Sequence, residues 1–416
     1  MIKSRERNQL AKEMLILIKQ GALEGVKVLD MTRVLAGPYS GMLLADMGAE
    51  VVKLEVPGRG DDSRGFTPKI NGESAYFMNL NRNKKSVVIN LKTEEGRGIF
   101  KELVKSFDIL LENFRPGTME KLGLGYDELK KIHPGLIYGA VSGFGQYGPY
   151  AKRPGYDIIG QGMGGLMSTT GWPGGEPTRT GTAIADVLAG LSVTIGILAA
   201  YANRMKNGHG EKVDVALVDS VVSGLEIITQ IYFATGKEPQ RIGNRYESVY
   251  PYDTFRAKDK MFIIGAGNNK LFGILAEYMG RKELTEDARF LENADRVANH
   301  AELKPIIEEW SKHLLADDII AGLLQRGCPA APVNTIADIA SDKHIRDARE
   351  MFVEVEHPQA GKTTLTGCHI KFSETACGIK TPAPALGQHT DEVLRACLGF
   401  DKERLAALKA AGIIEG

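Results

Sequence analysis

The stretch VKVLDMTRVLAGPYSGMLLADMGAEVVKLEV, residues 26–56, decides the fold. Residues 26–30 are a short apolar run that reads as a buried strand. GPYSGMLLADMG then reads as a helix, and EVVKLEV (50–56) as a second strand. Together they make a βαβ unit with a short crossover. The same alternation continues outward. SVVINL (86–91) is a third strand, and KTEEGRGIFKELVKSF is a helix with Thr93 as its cap. DILLENF (108–114) is a fourth strand, YDELKKIH a helix, and LIYGAVS (136–142) a fifth strand. Strands alternating with helices predict an α/β fold, with a mostly parallel sheet covered on both faces.

Later segments change character. A helix over 186–206 stops at Asn207-Gly208. EKVDVAL (211–217) is a strand, and 219–234 another helix. From about residue 235 to 333, a strand pair around YDTFRAKDKMFIIGAG and several polar helices predict a smaller α+β unit. The tail has strand-like FVEVEH and GKTTLTG, the Pro-rich KTPAPALGQ, and a final helix pair. The expected divisions are a helical extension (1–22), a large domain (23–225), a small α+β domain (226–333) and a tail (334–416).

Composition narrows the function. The 416 residues carry 52 basic and 52 acidic side chains, so formal net charge is zero. That balance argues against nucleic acid or an anionic membrane as partner. Cys328, Cys368, Cys377 and Cys397 form no CxxC pair, and no His/Cys cluster has metal-ligand spacing. A reduced, cytoplasmic protein without a bound metal is expected. MLILI (14–18), flanked by Lys12, Glu13 and Lys19, is too short for a signal peptide. Leu10, Met14 and Ile18 share one helical face, so a short amphipathic helix is expected there. The apolar run 187–201 contains Ser192 and Thr194. It falls short of the roughly 20 residues of a membrane span, and a buried helix is expected.

Asp186 stands where GGEPTRTGTAIA meets the apolar helix. The positive end of the helix dipole can hold a carboxylate there ionised, so Asp186 is either a helix cap or a nucleophile. The first βα turn, TRVLAGP (32–38), lacks GxGxxG, which disfavours an NAD-dependent dehydrogenase, and it lacks the GK[ST] of a phosphate-binding P-loop. Its helix N-terminus at Ala36-Gly37 is either a plain turn or an anion site. LENFRPGTMEKLGLGY brings Asn113, Arg115 and Lys121 to the C-terminal end of a strand, where open α/β sheets bind ligands. Both cations are phosphate partners or members of a solvated loop. RPGYDIIGQGMGGLMSTTG holds Tyr156, Asp157 and glycines 160, 162, 164 and 165. Such a cluster serves special dihedrals, close backbone approach or a tight helix–helix contact.

At these residues the chain resembles the family III CoA-transferases, the group containing formyl-CoA, carnitine and bile-acid CoA-transferases. The resemblance runs from about Leu23 to the C-terminus. It rests on VLDMTRVLAGP, GAEVVKLEVPGRGDDSR, NRNKKSVVINLK, LENFRPGTMEKLGLGY, SGFGQYGPY, RPGYDIIGQGMGGLMSTTG, GTAIADVLAGL, GHGEKVDVAL and PALGQHTDEVL. It implies a Rossmann-like large domain built from both chain ends, a smaller middle domain, and an interlocked, ring-like homodimer. It implies that Asp186 attacks an acyl-CoA thioester and passes CoA on through acyl–aspartyl anhydride and aspartyl-CoA thioester intermediates. Backbone N–H groups near the glycines would then serve as oxyanion donors. Val34, Ala36, Ile89, Lys92, Asn113, Phe114, Arg115 and Lys121 would line the CoA site. Tyr156 and Asp157 would flank the pantetheine end, and Phe66 and Tyr76 would lie near the acyl group. CoA thioesters enter as substrates, and no cofactor stays bound.

Two departures narrow the acceptor. Leu35 replaces a glutamine that stands beside the catalytic carboxylate in formyl-CoA transferase. Its tetraglycine loop has no counterpart in GNRYESVYPYDTFRAKDK, so oxalate is disfavoured. Relatives with RPGYD and GLM often use succinyl-CoA and dicarboxylates, and Arg64, Arg153 and Arg179 are candidates for a second carboxylate. The alternative within the fold is a 2-methylacyl-CoA racemase. That enzyme has a His-Asp dipeptide where this chain has Tyr156-Asp157, and a tyrosine with a pKa near ~10 is a poor base at neutral pH. The remaining alternative is a non-catalytic CoA- or nucleotide-binding protein with Asp186 as a cap.

Overall fold

The computed structural model describes residues 20–416. The expected helix over Leu10–Ile18 lies outside the described residues. Two compact units divide the chain. One comprises residues 20–166, 179–230 and 343–416; the other comprises 167–178 and 231–342. The second unit therefore takes a short piece, Met167–Thr178, that sequence reading gives to the large domain.

The first unit is built on a seven-stranded sheet. Its strands are β1 (Lys27–Asp30), β2 (Glu50–Glu55), β3 (Lys84–Ile89), β4 (Ile109–Glu112), β5 (Ile137–Ser142), β6 (Lys212–Ala216) and β7 (Ile414–Glu415). Their order is β7-β3-β2-β1-β4-β5-β6. β1 to β6 pair in parallel, and β7 closes one edge antiparallel to β3, with Ile414 opposite Ile89. The chain winds one way from β1 to β3 and the other way from β4 to β6. The reversal leaves a crevice at the carboxyl ends of β1 and β4.

Helices cover both faces. On one face lie α1 (Ala36–Asp46) and α3 (Ile184–Asn207), packed with Val28, Val51, Leu111 and Val141. On the other, Glu94–Leu103 buries Ile99, Phe100 and Leu103. Its N-terminus has Thr93 as cap, accepting from Gly96 N–H at 3.0 Å, with Glu94 and Glu95 complementing the dipole. The tail returns to this layer. Val393, Leu394, Leu405 and Leu408 join the same core as Leu29 and Leu110, so the C-terminal segment and the first described strands belong to one unit.

Some expectations shift. β3 starts at Lys84 rather than Ser86, because the buried Asp30 carboxylate takes the Lys84 ammonium at 2.9 Å. The helix expected over 219–234 is two helices, α4 (Leu217–Gly224) and Ile227–Thr235, broken where Glu226 takes φ 51°. β7 was not foreseen. The helix expected to be buried over 187–201 is buried along one stripe only. Ala185, Ala189, Val193, Ile197 and Ala200 face the core, whereas Ile195 is 68% exposed. On length and composition alone, Ile184–Asn207 would also pass as a membrane span.

The second unit has a three-stranded antiparallel sheet in the order Ala330–Pro332, Met261–Gly265, Tyr252–Arg256. Helices Asn269–Tyr278, His300–Ser311 and Ala316–Gln325 pack on it through Phe255, Phe262, Phe272, Leu303 and Leu323. Arg296 is fully buried at its centre. It donates to the carbonyls of Tyr250, Phe290 and Gly267 at 2.9–3.0 Å, which satisfies a charge that would otherwise be costly inside.

Candidate active site

The crevice predicted by the topology holds a cavity of about 190 Å³. Among its lining residues are Val34, Ala36, Asn113, Arg115, Ser142 and Asp186. Phe114, Tyr156, Arg33, Leu35 and Arg153 line it as well.

The β1–α1 turn forms one wall. Val34 takes φ 68°, a left-handed conformation that costs a β-branched residue strain and needs outside support. Asn113 supplies one tether. Its Oδ1 accepts from Arg33 N–H, and its Nδ2 donates to Arg33 C=O, both at 2.8 Å. Asp61 supplies the other, accepting from Val34 N–H at 3.1 Å. Behind the turn lies a buried charge network. Lys53 Nζ lies 2.8 Å from Asp61 Oδ2 and donates to Thr32 C=O at 2.7 Å. Glu55 holds Arg64 through two bonds of 2.7 and 2.8 Å. The neighbouring Lys53 holds Asp61 down at about 2. Helix α1 starts after this turn with no side chain capping it, and Leu35 and Ala36 at its start line the crevice.

Asp186 forms the floor. It is the third residue of α3 and not the cap; Ala183 holds the cap position and makes no side-chain bond. The helix is capped from elsewhere. Asp157 Oδ1 accepts from Ala185 N–H at 2.9 Å, while its Oδ2 accepts from Gln161 Nε2 at 2.7 Å. Gln161, fully buried, also accepts from Thr180 N–H at 2.9 Å. With Asp157 in the cap role, the half-buried Asp186 carboxylate makes no hydrogen bond to the described residues. Burial, and then the charge of Asp157, push its acid up to about 7. Both oppose the helix dipole, which favours the ionised form.

The glycine cluster brings these pieces together. A Cβ on Gly160 would sit 3.0 Å from Ala185 Cβ, and one on Gly164 would sit 2.5 Å from Val221 Cγ1. Tight helix–helix contact accounts for Gly160 and Gly164, and a special dihedral for Gly165, which takes φ 86°. α2 (Asp157–Met163) thereby reaches α3 and α4 closely enough for Asp157 to cap α3. The N–H groups of Gly160, Gly164 and Gly165 bond to Tyr156, Gly160 and Gly162 carbonyls, so they are not free as oxyanion donors.

Seven expected residues converge on the cavity: Val34, Ala36, Asn113, Phe114, Arg115, Tyr156 and Asp186. Asp157 stands behind Asp186. Phe66 and Tyr76 pack edge to face at 5.4 Å, and burial with the charge of Asp186 pushes Tyr76 up to about 12. None of Asp157, Phe66 and Tyr76 is in the cavity lining, and three more expected residues stand apart from it. Ile89 is fully buried core, in register with Ile414. Lys92 is exposed in the loop after β3, and Lys121 is exposed at the end of Thr118–Lys121. Among the arginines proposed for a second carboxylate, Arg64 is committed to Glu55, and Arg179 reaches only its neighbour Gly181 C=O at 3.5 Å. Arg153 stacks on Tyr150 at 3.6 Å and lines the cavity. Sequence reading missed Lys53, Asp61, Gln161 and Ser142. A lysine inside an otherwise apolar strand, as in EVVKLEV, was the available signal for the first.

The crevice brings together a helix N-terminus, three lining arginines (Arg33, Arg115 and Arg153) and an uncapped acid, a lining whose chemistry suits an anionic ligand. Comparison with known proteins makes the class specific. The model of CoA-transferase family III matches residues 23–390. Succinyl-CoA:glutarate CoA-transferase from Mus musculus is 38% identical over 398 residues, covering 94% of this chain and 90% of that protein. Acetyl-CoA:oxalate CoA-transferase from Acetobacter aceti is 41% identical over 355 residues, covering 85% and 90%. The crystal structure of a CAIB/BAIF family protein from Brucella suis matches with TM-score 0.81 at 39% identity, covering 91% of this chain and all of that one. The chain belongs to CoA-transferase family III and is a transferase.

Proposed function

We propose that this enzyme moves CoA from an acyl-CoA donor such as succinyl-CoA to a dicarboxylate, with Asp186 as the covalent carrier. The observation that carries this is the division of labour between two carboxylates. Asp157 caps α3, and Asp186 is left without a bond at the cavity floor. The dicarboxylate class follows the names of the relatives above.

The chemistry balances without net proton transfer. The Asp186 carboxylate attacks the donor thioester carbonyl, and CoA thiolate leaves an acyl–aspartyl anhydride. The thiolate attacks the aspartyl carbonyl, expelling the donor acid and forming an aspartyl-CoA thioester. The acceptor carboxylate attacks that thioester, releasing thiolate and forming a second anhydride. The thiolate then attacks the acceptor carbonyl, and Asp186 is regenerated. The α1 N-terminus, Arg115 and Arg153 supply the field for CoA phosphates.

A mass-spectrometric screen tests the reading. Acetyl-CoA and succinyl-CoA are each supplied with acids from oxalate to glutarate, and new CoA thioesters are sought. Hydrolysis alone would sink it. So would deuterium uptake at C2 of a 2-methylacyl-CoA in heavy water without an acceptor, which is the racemase outcome. Because the nucleophile must be ionised, kcat/KM is expected to rise with pH to a plateau, with a midpoint near the Asp186 value of about 7. Asp157→Asn removes a neighbouring charge and should move that midpoint down. A profile flat from pH 5.5 to 8.5 would refute the assignment.

A second copy of the chain is the proposed partner. Ile158, Ile159, Met163, Ile195 and Val222 are 41–68% exposed on α2, α3 and α4, more apolar surface than a lone chain usually shows on adjoining helices. Light scattering should report twice the chain mass.

A further inference from the structure

We propose that the Ser142 hydroxyl binds an amide of the pantetheine arm of CoA; this rests on the CoA reading above. Ser142 ends β5, one strand over from the segment that carries Asn113 and Arg115. It is only 6% exposed, and its Oγ has no hydrogen-bond partner. Buried hydroxyls are nearly always paired, and an unpaired one is a standing penalty. Several other described polar atoms share that condition, including Gln146 Nε2 and Asp214 Oδ1. Ser142 is the one among them whose residue lines the cavity.

Its surroundings fix its place. A Cβ on Gly143 would lie 2.7 Å from Gly155 Cα, so the two backbones are in contact just beyond Ser142. The end of β5 is thereby held against the Pro154–Tyr156 wall. The chemistry of a hydroxyl also selects its ligand. The charged parts of a CoA thioester have Arg115, Arg153 and the α1 N-terminus to meet. A neutral group that both donates and accepts suits an amide, which offers N–H and C=O, and the pantetheine arm carries two.

The test is binding of CoA and of 3′-phosphoadenosine 5′-diphosphate, which lacks the arm, measured by calorimetry on wild type and Ser142→Ala. One lost hydrogen bond should weaken CoA about tenfold. The diphosphate should bind both proteins within about twofold. Melting temperature should not fall, because the deleted hydroxyl has no protein partner to strand; a structural serine would lower it. Equal CoA affinity in the two proteins overturns the proposal, as do equal losses for both ligands. If wild type binds no CoA, the CoA reading itself fails, and the wild-type titration alone shows it.

Discussion

Asp186→Asn is expected to give a folded protein whose transfer rate has dropped by roughly 10³-fold or more, the scale seen when a covalent nucleophile is removed. Folding should survive because Asp186 holds nothing in place. The α3 cap position is Ala183, and the bond at the helix start comes from Asp157 to Ala185 N–H. Asparagine is isosteric and uncharged, so it should relieve a penalty. The folded acid titrates at about 7 against an ordinary 3.8. A raised acid binds more protons folded than unfolded between those values, so its contribution to stability falls as pH rises through that window. The substitution should therefore stabilise little at pH 4 and most above pH 7, on the order of 2 kcal/mol after discounting for solvent at the cavity. Melting curves at pH 4.5 and 8 read the difference, and a coupled assay reads the rate. A melting temperature that drops at both pH values would mean Asp186 is a structural cap after all. Retained transfer would remove it as the carrier.

The strands of the main sheet were legible because a doubly covered parallel sheet needs continuous apolar runs, and each such run sits between helix signals. Thr93 was legible for a local reason: a cap and its acceptor lie three residues apart. Asp186 was legible only as a choice between two roles. The bond that takes over the capping role comes from Asp157, twenty-eight positions before the Ala185 N–H it accepts from, and depends on Gly160 letting two helices touch. Nothing in the linear spacing reports that approach. Asn113 was marked as a ligand contact, and the structure shows it clamping the Arg33 backbone. Its polar side chain was visible in sequence; its partner was not.

Lys53→Met should cost about 3–5 kcal/mol, the range for stripping one partner from a buried ion pair. Lys53 and Asp61 side chains are both fully buried. The Lys53 ammonium, 2.8 Å from Asp61 Oδ2, is the partner that balances this carboxylate. Asp30 and Glu55 also lie within the reach of that charge. The acid side gives a sign to check. Asp61 titrates at about 2 folded against 3.8 ordinarily, so its stabilisation is complete above about pH 4 and fades as pH falls toward 2. The gap between wild type and variant should shrink over the same span. Function should suffer through the turn. Lys53 holds Thr32 C=O, and Asp61 holds Val34 N–H, so losing the lysine slackens a turn that keeps Val34 at φ 68°. KM for the acyl-CoA donor should rise. Two double variants separate charge from tether. Lys53→Met with Asp61→Asn removes the stranded charge and keeps an oxygen for Val34 N–H, so both stability and KM should recover in large part. Lys53→Met with Asp61→Leu should recover neither, because Val34 N–H, Ser63 N–H and the Ser63 hydroxyl then have no acceptor. If the single variant melts with wild type, the network is not what sets the turn. If both doubles bind donor equally well, the Asp61 tether is not what shapes the crevice.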